Sequence, residues 1–139
     1  LYMAVKFANL ASTTLASGIT NSATSITVAD ASSFPALGSG DYFYASIGEG
    51  SVSEIIKVTA ISLNTFTAIR GRDNTTAGAF SSGTVIALRV VAAALDEIAT
   101  AANGTIFTVF GRSANTNVSL ANAALTVVGR SQNIAVGVV

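Results

Sequence analysis

The chain has 139 residues, half of them apolar and only 10% charged, with seven Lys and Arg balanced by seven Asp and Glu. It contains no Cys, His or Trp, which removes disulfides, thiolate nucleophiles, Ser-His and Cys-His catalysis, and the usual zinc, copper and haem ligands. A net charge of zero argues against an electrostatic grip on nucleic acid or acidic lipid.

Mean hydropathy is high at +0.61, yet no stretch of about 18 uncharged apolar residues exists to span a bilayer. The longest apolar run, Val90 to Leu95, lies between Arg89 and Asp96. Leu1 to Leu10 carries Lys6 in its middle and has no signal-peptide core. Soluble domains normally carry about a quarter charged residues, and zero net charge promotes association. Much of this surface is therefore expected to be covered by other subunits.

In chain order, residues 1–24 read as an extended N-terminal arm, either frayed or ordered against a neighbour. Ser25 to Ala29 alternates and is β-branched, so it predicts a strand. Asp41 to Ile47 predicts a second, with Phe43 on one face and Tyr42 and Tyr44 on the other. Val52 to Ile61 predicts a third, whose apolar parity is interrupted by Glu54. Thr65 to Arg70 and Thr84 to Val90 complete the set, separated by a polar loop from Gly71 to Ser82. Val91 to Ala102 lacks Gly and Pro and places Val91, Leu95, Ile98 and Ala102 on one stripe. This predicts a short helix stopped at Asn103-Gly104. Beyond it, Thr105 to Phe110 alternates, Asn117 to Leu120 is a short strand, and Ala124 to Val128 with Ile134 to Val138 read as a hairpin. The expected fold is mainly β: a small sandwich or barrel-like domain over 25–103 ending in the helix, then a C-terminal β-hairpin appendage over 104–139.

The segment from Ile55 to Ile86 carries a pattern. A strand ending Lys57-Val58-Thr59 is followed by a turn, a strand ending Arg70-Gly71, a Thr75-Thr76-Ala77 loop, and Phe80 ahead of Ser81-Ser82-Gly83-Thr84. Together with Ser25 to Pro35, Tyr42 to Tyr44 and the exit Leu88 to Leu95, it resembles a small β domain of virion structural proteins of tailed bacteriophages. The resemblance covers Met3 to Ile98. Val118 to Val139 is similar to short Val/Gly-rich β units of phage head and tail proteins. The resemblance implies a virion component assembled in the bacterial host cytoplasm. The resemblance does not by itself choose a location; the expected place is the capsid surface, as a decoration or cement protein that contacts the major capsid protein and itself, as a homotrimer. The alternatives are a tail fibre, tail adaptor or baseplate component, or a module binding host-surface carbohydrate.

Candidate chemistry is sparse, and no enzymatic activity, cofactor, metal, nucleic acid, membrane or small-molecule substrate is expected. Asp96 and Glu97 are adjacent, so on a helix they diverge by about 100° and cannot share a proton. Gly38 and Gly40, and Gly48 and Gly50, lack the context of a phosphate cradle and read as turns. The sequons at Asn74, Asn103 and Asn117 read as chance matches. Tyr42, Phe43 and Tyr44 could supply a sugar-stacking platform or one core face and one edge. An autocatalytic isopeptide formed with Lys6 or Lys57, one of the several Asn and Glu54 would need a buried lysine beside a carboxylate. Arg70, Arg72 and Asp73 crowd one loop entry, as a local pair ordering the turn or as an intersubunit ion-pair site. The interface candidates are Val5, Phe7 and Leu10 in the arm, Arg70, Arg72 and Asp73, Leu95 and Ile98 on the helix, and Arg112, Val127, Ile134 and Val136 in the C-terminal strands.

Overall fold

The computed structural model describes residues 4–103, 107–109, 116–120, 125–127 and 134–138. The protein is mainly β, with one short helix. It divides into two compact units, Leu1–Ala94 and Leu95–Val139.

The first unit is a six-stranded antiparallel sheet curled into a half-barrel. Its strands are β1 (Ser12–Thr14), β2 (Ser25–Thr27), β3 (Phe43–Ile47), β4 (Glu54–Ser62), β5 (Thr65–Arg72) and β6 (Val85–Leu88), in the order β1-β6-β3-β4-β5-β2. Alternation places Phe43, Ala45 and Ile47 of β3, Ile56 and Val58 of β4, and Phe66 and Ala68 of β5 in one core. Phe34, delivered by the loop after β2, stacks on Phe43 at 5.5 Å and meets Phe66 edge-on at 5.0 Å. Asn64 in the β4–β5 turn ties that loop down. Its side-chain oxygen accepts from the Ala31 amide, and its backbone carbonyl accepts from the Val28 amide.

The segment expected as an arm is instead part of this sheet from Ala11 onward. Ala11, Leu15 and Ile19 are buried, and β1 pairs with β6. The two edge strands then meet at a Leu15–Val28 bridge. There the Ala16 amide donates to Thr27 and the Ala29 amide to Thr14, both at 2.9 Å. Sequence periodicity missed this because the inward residues recur every four positions among small polar ones, and only three residues form regular strand.

The outer face of β3 is covered too. Tyr42 and Tyr44 lie edge-to-face at 5.9 Å beneath Val91 and Ala94, with Val5 and Ile55 packed against them. The helix α1 (Ala92–Asn103) starts at this cluster. Of its expected apolar stripe, Val91 is buried while Leu95 and Ile98 are exposed.

In the second unit the strands are β7 (Phe107–Val109), β8 (Thr116–Leu120), β9 (Leu125–Val127) and β10 (Ile134–Val138). The expected hairpin between the last two is not formed. β9 pairs with β7, and β10 with β8, both in parallel. Strand starts fall every nine residues, so like sequence aligns with like: Val109 with Val127 and Val118 with Val136. A local turn signal at 129–133 loses to that longer period.

Candidate functional site

Arg70 and Glu54 form the one buried charged cluster among the described residues. Both continue the inward parity of their strands, Glu54 with Ile56 and Val58, Arg70 with Phe66 and Ala68. Their side chains are 6% and 0% exposed. The guanidinium grips the carboxylate in a fork, Nε to Oε1 at 2.8 Å and Nη2 to Oε2 at 2.7 Å. Nη1 donates to the carbonyls of Thr20 and Ala23, and Nη2 to that of Gly78. Glu54 also accepts the amides of Gly71 and Gly78, at 2.7 and 3.0 Å. The guanidinium thus ties together three stretches of chain, at Thr20 to Ala23, at Glu54 and at Gly78. Gly71 takes a φ of +58°, and a Cβ there would come within 3.2 Å of the Thr75 carbonyl, so left-handed backbone and close approach both favour glycine.

Burial alone pushes the Glu54 carboxyl up, but Arg70 and the Gly78 and Gly71 amides outweigh it and hold it below the ordinary carboxylate range. The cluster is complete within the subunit. That corrects both readings of Arg70, which neither pairs locally with Asp73 nor offers its charge to a neighbour. Asp73 and Asn74 take φ of +50° and +60° in a tight turn closed by the Thr75 amide on Arg72, and Arg72 is exposed. Glu54's parity carried the missed signal: a charge facing the core demands a partner.

The lysines have other partners. Lys57 Nζ lies 3.7 Å above the Tyr42 ring, and Lys6 pairs with Asp41 at 3.5 Å. The Lys–Glu54 geometry of an isopeptide is not present. Nor is an aromatic platform, since Tyr42 and Tyr44 are buried. Among the described residues no group of His, Cys, Asp or Glu could hold a metal ion, and no helix is long and apolar enough to cross a membrane.

The surface of the first unit also presents several exposed large apolar side chains. Leu10 is 98% exposed and Leu63 93%, and both take left-handed backbone, at φ of +58° and +53°. An exposed leucine is ordinary; a left-handed one costs roughly 1–2 kcal/mol against the right-handed form. Neither packing nor backbone preference calls for leucine at these turns. The strand ends place both on one rim of the half-barrel. Leu10 precedes β1 and Val90, also exposed, follows the β6 end that bonds Ala11. Leu63 tops the β4–β5 turn, which Asn64 fastens to the loop after β2. Beside it a shallow cleft is lined by Phe34, Pro35, Leu37 and Ile61.

Of the other interface candidates, Phe7 is exposed, whereas Val5 packs against the tyrosine cluster. Leu95 and Ile98 are exposed on α1. Val127, Ile134 and Val136 hold register positions in β9 and β10. Arg112 lies outside the described residues. Leu63 and Val90 were not anticipated, because sequence alone does not show which turn residues lack cover.

No protein-family model matches the chain, and no curated protein is significantly similar to it.

Proposed function

We infer that the protein is a structural component of a tailed-phage particle, one that decorates the capsid and cements it by binding between capsid subunits. The observation that carries the docking part of this reading is the rim with Leu10, Leu63 and Val90, where all three side chains are exposed and the two leucines stand on left-handed backbone that does not favour them. The resemblance of residues 55–86 to a virion β domain supplies the setting, and the low charge density of the chain is in keeping with a subunit covered by partners. The mechanism is mechanical: each copy buries apolar surface at ~25 cal/mol per Å², and a shell multiplies that contribution over many copies. The partners are the major capsid protein and further copies of this chain, as a trimer. No covalent chemistry is required.

Copy number in purified particles tests the reading. A cement protein is present in many copies and stays with heads after tails are detached. A few copies that remain with detached tails would make it a tail, adaptor or fibre component instead. The carbohydrate-binding alternative loses its expected platform with Tyr42 and Tyr44 buried.

A further inference from the structure

The C-terminal strands obey one period in both structure and sequence. Phe107 faces Leu125 and Thr116 faces Ile134, so both parallel pairs are offset by the same 18 residues. The sequence follows suit. Thr108, Val109, Gly111, Arg112, Ser113 and Asn115 return 18 residues later as Thr126, Val127, Gly129, Arg130, Ser131 and Asn133. Valine recurs every nine residues, at 109, 118, 127 and 136, always within a strand. Consecutive coils that pair in parallel at a fixed offset, each contributing one strand to each of two sheets, make a short β-solenoid.

As described, the stack is two coils deep, since each sheet has two strands. Two-stranded sheets are marginal by themselves, and solenoids need about three repeats for stability. Each strand also has one edge with no strand paired to it among the described residues, and such an edge templates further pairing. What fits the outer edge of the second coil is already written in the chain. The second coil repeats the first, and the first pairs with it in this register.

We propose that the β9–β10 edge receives the β7–β8 edge of a second copy of this chain, in parallel and in the same 18-residue register. Neighbouring molecules then share one continuous stack through a head-to-tail contact. The new junction repeats the junction inside the chain: Val127 of one copy sits beside Val109 of the next, and Val136 beside Val118. Symmetric pairing of two β10 edges would instead set unlike positions side by side. The proposal stands apart from the virion reading, because it needs no capsid.

The chain has no cysteine, which makes thiol cross-linking clean. Ala135 and Asn117 are register partners, and adjacent strands lie ~4.8 Å apart, within disulfide range. Chains carrying Ala135→Cys are mixed with chains carrying Asn117→Cys and oxidised, and sedimentation of the wild type is followed against concentration. The expected result is a disulfide-linked pair in the mixture and none with either variant alone. Loss of the link when Ser119→Cys replaces Asn117→Cys confirms the register. A wild type that associates as concentration rises is expected as well. Cross-linking of Ala135→Cys alone would show symmetric edge pairing and overturn the proposal. So would a mixture that forms no link, or a wild type monomeric at every concentration.

Discussion

The two units solve the problem of strand edges in opposite ways. The half-barrel is antiparallel, and its edge strands β1 and β2 meet at Leu15 and Val28, so the sheet spends its backbone hydrogen bonds internally. The C-terminal unit is parallel, two strands to a sheet, with edges that match its own repeat. Closing a sheet removes its edge as a docking site, and whatever the half-barrel binds must then be met by side chains. In the C-terminal unit the proposed contact is made by the backbone itself. On the two proposals made above, the difference separates two modes of assembly in one chain: apolar turn tips for a foreign surface, and strand edges for more of the same chain.

The largest effect that would break this contrast lies in the Arg70–Glu54 cluster. Arg70→Met leaves a buried carboxylate without its counter-ion and is expected to cost about 3–5 kcal/mol in urea unfolding followed at the half-barrel. A cost under about 1 kcal/mol, the range of exposed pairs, would mean that the first unit is not held together from within. Arg70→Lys should fall between the two, since ammonium cannot reproduce the fork.

Acid gives the next effect. The Glu54 carboxyl is depressed in the folded state, so its contribution is fully present above its unfolded value of about 4.3. It is lost as pH falls through the lower folded value. Unfolding free energy of the wild type should drop steeply below about pH 4. Glu54→Gln should flatten that part of the profile while lowering stability at neutral pH.

Smaller again, and opposite in sign, are the turn tips. Leu10→Asn and Leu63→Asn should each leave stability unchanged or raise it by up to about 1 kcal/mol, because asparagine tolerates left-handed backbone. Both should weaken attachment to shells. A substantial loss of stability from either would return that leucine to the fold and remove it from the interface. An effect of similar size, but destabilising, is expected of Lys57→Ala, which removes the cation over the Tyr42 ring at about 0.5–1 kcal/mol. Thermal melting that reports the tyrosine environment would register it.

Strand alternation made most of the half-barrel legible in the sequence. Ser25 to Ala29, Asp41 to Ile47, Val52 to Ile61 and Thr65 to Arg70 each overlap a strand of the sheet, and the helix falls where small apolar residues without Gly or Pro foretold it. β1 was hidden because its neighbours are Ala, Ser and Thr, which carry little periodic signal, and because its burial depends on the distant partners β6 and β2. The Arg70–Glu54 pair was half legible. Each charge interrupts an apolar parity, but only the β4–β5 register brings them together. The C-terminal pairing departs from the expected hairpin because the turn-like 129–133 segment is a local signal, whereas the 18-residue repeat aligns like strands over a longer span.

Addition of the purified protein to phage shells that lack it, followed by measurement of the temperature at which they rupture, tests the central claim most directly. High-copy binding and a raised rupture temperature are expected, with the Leu10→Asn/Leu63→Asn variant binding weakly and protecting little. Unchanged rupture with wild-type protein, or binding confined to a few copies at the tail, would contradict that claim.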